Sequence, residues 1–198
     1  YLADNHSKIL LVKSEPKFNI IFDHPVWLKE HLTASKKDFY VLTIDPNYVR
    51  FVDRYFSAVK KTFLFSPAGD LYQSPENVLP DKIYDLTFIG TYHDWRSWDE
   101  QRQQADQLLN GLASLFLEFM MKHPHFTWED GLRELLCSPQ AKDNPIAKDA
   151  LSDDSIFAQL LFIIKPVCFM VMSRFREQIL DVIVEAEIPI HVFGDSFD

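Results

Sequence analysis

Glycine is scarce in this 198-residue chain, which holds only 5. So few argue against an all-β fold rich in tight turns and against a glycine-rich loop that cradles phosphates. Cysteine is scarcer still: Cys137 and Cys168 lie far apart, each in an apolar setting and neither in a Cys-x-x-Cys pair. That gives no support to a metal or redox centre, and both are expected to be buried, reduced thiols. The chain carries a net charge of -9, and no basic cluster exceeds a Lys-Lys pair. Nucleic acid, which is held through many Lys and Arg contacts to phosphate, is therefore excluded as an expected partner. A bilayer-spanning run is lacking too. Ile156 to Met172 is strongly apolar, but Gln159 and Lys165-Pro166 break it, and it falls short of the ~20 residues a span needs. No charged-then-apolar leader is visible. The expectation is a reduced cytoplasmic protein without a transmembrane segment.

What is present is an apolar fraction of 47%, enough for a sizeable core, distributed as short runs alternating with amphipathic segments. Phe18 to Phe22 reads as a strand, followed by Asp23-His24-Pro25 and a short helix through Trp27, Leu28 and Leu32. Phe39 to Ile44 is a second strand, followed by Asp45-Pro46 and a helix with Val49, Val52 and Phe56 on one face. Lys61 to Phe65 is a third, ended by Ser66-Pro-Ala-Gly69, and Ile83 to Gly90 a fourth. Proline at the first helical turn has no N–H to waste there. Near-continuous apolar strands imply burial on both faces, as in parallel sheets covered by helices. The expected fold is α/β, a Rossmann-like parallel sheet flanked by helices.

A large, mostly helical block over about 97–187 interrupts this plan. Ser97 to His123 reads as one long helix with a Leu and Phe stripe, which Pro124 stops. Thr127-Trp-Glu-Asp130 is a capping signal for a helix through Leu135. Polar residues from Ser138 to Asp154 read as containing a loop. Ser152 or Asp153 caps a helix through Leu161, and Pro166 starts another that ends near Glu187. Ile190-His-Val-Phe-Gly194 then resumes the sheet pattern and echoes Tyr84-Asp-Leu-Thr-Phe-Ile-Gly90. The proline-rich stretch from Asp70 to Lys82 reads as a linker, giving two α/β domains over 1–80 and 81–198.

Three segments taken in order, Phe22-Asp-His-Pro25, Leu42-Thr-Ile-Asp45-x-x-Tyr-Val49 and Phe63-Leu-Phe-Ser-Pro67-Ala-Gly69, lead into Tyr84-Asp-Leu-Thr-Phe-Ile-Gly-Thr91. This order resembles the amino-terminal part of bacterial CgeB-like glycosyltransferases, over residues 18–96 and again over 188–198. The chain departs from that pattern at Ser66 and Ala68, and in the length of the helical block. The resemblance implies a GT-B architecture: an acceptor-side domain, then a donor domain that holds a nucleotide-sugar without a metal or other cofactor. On this reading the chain supplies the acceptor side and only the start of the donor domain. It is then a fragment, inactive without a carboxy-terminal domain, whose partners are a nucleotide-sugar and an acceptor hydroxyl. Self-association into a homo-oligomer is compatible with it.

Within that frame His24 and Asp23, at a strand end, are the catalytic candidates, since an imidazole beside a carboxylate suits general base chemistry. A histidine that merely caps the next helix is the bland alternative. Asp45 is the acceptor-binding candidate, and helix capping is its alternative, as it is for Asp23. Gly90 and Thr91 would admit a donor pyrophosphate, and Arg96 would pair with phosphate. A strand-terminating glycine and an Arg96 bonded to Asp94 or Asp99 are the alternatives there. His123-Pro-His125 reads as a helix-ending turn rather than a metal site. The competing function is a non-catalytic α/β binding or docking module whose helical block engages another protein.

Overall fold

A capping side chain followed by proline hands the first two strands over to helices. The computed structural model describes residues 16–34, 37–66, 84–90, 94–103 and 107–194. The chain divides into two compact units, Tyr1–Gly69 with Asp149–Ile163, and Asp70–Lys148 with Ile164–Asp198. In the first unit, β1 (Lys17–Ile21), β2 (Phe39–Thr43) and β3 (Lys61–Leu64) form one parallel sheet in the order β1-β2-β3. A 3-10 turn (Pro25–Leu28) and α1 (Lys29–Thr33) link β1 to β2, and α2 (Pro46–Tyr55) links β2 to β3. The fold is α/β with a Rossmann-like parallel sheet flanked by helices, the class read from the sequence.

The helices of this unit bury one face of the sheet. Ile21, Phe39, Val41, Thr43 and Thr62 lie there with Val26, Leu32, Phe51, Val52 and Phe56. A later helix, α7 (Asp154–Ile163), joins this unit from about a hundred residues away: Phe157 stacks on Tyr55, and Phe162 meets Phe51 and Phe56. The other face departs from the expectation of two buried sides. Phe18, Ile20 and Phe63 point the opposite way from the buried set, and Phe18 stacks on Tyr40 at 5.1 Å yet is 59% exposed. Alternation puts half of each strand on that side, while Val26, Leu32, Phe51 and Val52 of the described helices are buried with the first side. The hydroxyls of Thr43 and Thr62, buried among apolar neighbours, find no hydrogen-bond partner.

The second unit has a two-stranded parallel sheet, β4 (Thr87–Ile89) with β5 (His191–Phe193). Its helices are α3 (Trp95–Gln103), α4 (Gln107–Lys122), α5 (Trp128–Cys137) and α8 (Lys165–Glu185). α3 and α4 pack on α8, and α5 packs on α4. Leu112, Phe116, Met120, Leu132, Leu136, Val167 and Met170 are among its buried side chains. An added Cβ at Gly131 would overlap Met120 Sδ, so the missing side chain there lets α5 approach α4 closely. Helix α3 starts earlier than expected because Asp94 accepts from the Arg96 backbone N–H at 3.0 Å. The segment read as a loop contains α6 (Pro145–Ser152), which Asn144 caps by accepting from Ile146 N at 2.9 Å. One cysteine expectation is corrected. Cys168 is buried, which drives its thiol pKa far up, but Cys137 is exposed at the end of α5, off the face that carries Leu132, Leu135 and Leu136. Among the described residues no single helix is long and apolar enough to cross a membrane.

Candidate functional site

Because β1 and β2 run parallel with Ile21 opposite Thr43, the chain leaves both strands at the same edge of the sheet. Phe22-Asp23-His24 follows β1 and Ile44-Asp45 follows β2, so three of the candidate residues converge at one carboxyl edge. Ligands of open α/β sheets bind at such edges.

His24 has two tasks there. Its Nδ1 accepts from the Val26 backbone N–H at 3.1 Å, capping the 3-10 turn. Its ring meets the edges of Tyr48 and Phe51, each with centroids 4.9 Å away. Burial among these rings lowers its pKa to about 4, against the opposing pull of the Asp45 carboxylate. The imidazole is therefore neutral at pH 7. An amide N–H can only donate, so Nδ1 carries the lone pair and Nε2 carries the hydrogen. His24 thus offers a ligand a hydrogen-bond donor. This differs from the base role expected of it, and the reason is the cap.

The two carboxylates are placed differently. Asp45 Oδ1 accepts from Asn47 N at 2.7 Å, the N-cap bond of α2, and its charge acts on His24 and Tyr48. Its second oxygen is not part of that bond. Asp23 caps nothing, because His24 takes that place. Its exposed carboxylate makes no hydrogen bond or ion pair among the described residues. Tyr48 completes the cluster. It is one turn into α2, half-buried against His24, and its hydroxyl is held to its neutral form by burial and by the charges of Asp45 and Asp23. Sequence reasoning assigned Tyr48 no role, although the Asp45-x-x-Tyr48 spacing that brings the two together was in plain view. Residues three apart on a first helical turn share a face. The edge as a whole offers two carboxylates, an imidazole N–H and a phenol. Such groups can donate to and accept from hydroxyls.

The donor-side candidates belong to the second unit. Gly90 follows β4, and its N–H donates to Phe193 O at 2.9 Å, closing the parallel pair. A Cβ added there would lie 3.2 Å from Phe88 Cε1, so close packing is the property the glycine supplies. Thr91 lies outside the described residues. Arg96 donates to Asp94 Oδ1 at 3.2 Å and to Glu177 Oε1 at 3.0 Å. Glu177 Oε2 in turn accepts from Trp95 Nε1 at 2.7 Å, and Arg174 sits over the Trp95 ring. The bond to Asp94 is one of the bland alternatives for Arg96, and the bond to Glu177, which the sequence did not suggest, fastens α3 to α8. His123 and His125 pack with Phe119 and Phe126 in an aromatic turn after α4. Among the described residues no group of three or more His, Cys, Asp or Glu is arranged to hold a metal ion. No family model matches the sequence, and neither a curated protein nor a solved structure gives a significant match.

Proposed function

We propose that the first unit holds the acceptor of a nucleotide-sugar-dependent glycosyltransferase, and that the second unit begins its donor side. The observation that carries this reading is the convergence of Asp23, His24 and Asp45, with Tyr48, at one carboxyl edge of a parallel sheet. In this role the Asp23 carboxylate accepts the proton of the acceptor hydroxyl, because it presents unengaged lone pairs. His24 donates from Nε2 to a neighbouring sugar oxygen. Asp45 accepts from a second hydroxyl. The two described strands make a small platform for a nucleotide, and both Gly90 N–H and Arg96 already have protein partners. The chain by itself is therefore expected to bind acceptor and not to turn over.

Saturation-transfer NMR with simple glycosides and calorimetry with uridine and guanosine diphosphate sugars test the two halves. Weak glycoside binding and no tight nucleotide-sugar binding are expected. Tight binding of a diphosphate sugar contradicts the division of labour. The docking-module reading keeps one observation in its favour. Ile179, Val182 and Val184 on α8 are exposed, at 58%, 63% and 65%.

A further inference from the structure

The first unit also contains a groove of about 310 Å³ whose lining includes none of the carboxyl-edge residues. Its floor is one face of α7, formed by Ser155, Ala158, Gln159 and Phe162, which recur at helical spacing. Ala158 leaves the middle of that face open, while Phe162 is held from behind by Phe51 and Phe56. One wall is the end of α2. There Arg54 grips Asp154 with two parallel bonds of 3.0 and 2.9 Å, so this wall is fixed and its charge is balanced. Lys29, at the start of α1, also lines the groove. Its ammonium lies 4.6 Å from the Phe162 ring centroid and has no carboxylate partner among the described residues. The lining therefore sets two cations against one carboxylate, in a chain whose net charge is -9.

We propose that this groove binds a small organic anion, a phosphate monoester or carboxylate carried on a flat apolar body. The anionic oxygens would pair with the Lys29 ammonium, and the flat body would lie along Ala158 and the Phe162 and Tyr55 rings. Ser155 and Gln159 supply further donors. The volume is at the low end for ligand pockets and suits a molecule below drug size. The assignment is independent of the glycosyltransferase reading, since the two sites share no residue.

Amide NMR titration of the chain with phenyl phosphate, benzoate, inorganic phosphate and phenol tests it. Saturable shifts are expected at the groove residues with phenyl phosphate, with benzoate, or with both, and these two arms identify the preferred anion. Inorganic phosphate and phenol should each bind more weakly. Lys29→Gln should weaken binding about tenfold, the size of one charge-assisted contact, while the rest of the spectrum stays in place. Phe162→Leu, which keeps the core filled, should weaken the aryl ligands and leave inorganic phosphate unchanged. The assignment is overturned if neither aryl anion gives saturable shifts in the groove. It is equally overturned if phenol matches phenyl phosphate, or if Lys29→Gln leaves the affinity unchanged.

Discussion

His24 commits Nδ1 to the backbone of Val26 and its ring to Tyr48 and Phe51, and its behaviour with pH follows from that. Its pKa is near 4 in the fold against 6.5 in the open chain. The unfolded chain thus binds the extra proton first as pH falls. The neutral ring's contribution is complete above pH 6.5 and is lost between 6.5 and 4, on the order of 3 kcal/mol at most. Urea unfolding midpoints should fall across that window in the native chain. In His24→Asn, which keeps a capping acceptor, the histidine's share of that slope should vanish. An unchanged slope would mean that His24 does not titrate as its surroundings require. Thr43 gives a prediction of opposite sign. Its hydroxyl is buried with no partner, so Thr43→Val should leave stability unchanged or raise it by about 1 kcal/mol. A clear loss in thermal unfolding would reveal a hydrogen bond to that hydroxyl, such as one from water.

Between elements, the ties that matter join distant segments. Glu177 on α8 accepts from both Trp95 and Arg96 of α3. Glu177→Ala should destabilise by about 1–2 kcal/mol and shift Trp95 fluorescence to the red, because two donors lose one acceptor. Arg96→Ala should cost less, about 0.5 kcal/mol, since the Arg96 end of that pair is exposed. If Arg96→Ala left stability untouched, its fastening role would fail and the anion-binding role would regain ground. These ties also mark the limit of what the sequence made legible. The three strands of the first sheet and the caps at Asp45 and Thr127 are local signals, written in adjacent residues. The return of α7 to the first unit rests on Phe157 and Phe162 meeting Tyr55, Phe51 and Phe56, about a hundred positions away, and no local pattern announces it. Helix α6 is hidden for another reason. Asn144-Pro145 repeats the cap-then-proline junction of Asp45-Pro46, but the polar residues around it read as a loop. At the site, strand ends put Asp23, His24 and Asp45 on one edge, but Gly90, expected at that same edge, follows β4 of the separate two-stranded sheet. The tautomer of His24 and the part of Tyr48 needed side-chain geometry.

At the scale of the molecule, each unit leaves apolar surface uncovered. In the first it is the sheet face with Phe18, Ile20 and Phe63, and in the second the α8 stripe with Ile179 and Val182. Large contiguous apolar patches promote association. Paired substitutions Phe18→Glu with Ile20→Lys should therefore lower binding of a hydrophobic dye and any concentration-dependent association, without loss of helical signal. Unchanged dye binding would place the sticky surface elsewhere. The carboxyl edge is a separate matter, because its groups are polar and we propose that they bind acceptor hydroxyls. The most direct test compares saturation-transfer NMR of a set of simple glycosides on the native chain and on Asp23→Asn with Asp45→Asn. Glycoside signals are expected from the native chain and should drop at least severalfold in the double variant, with the fold intact. Glycoside signals that survive the double substitution, or that never arise from the native chain, would contradict it.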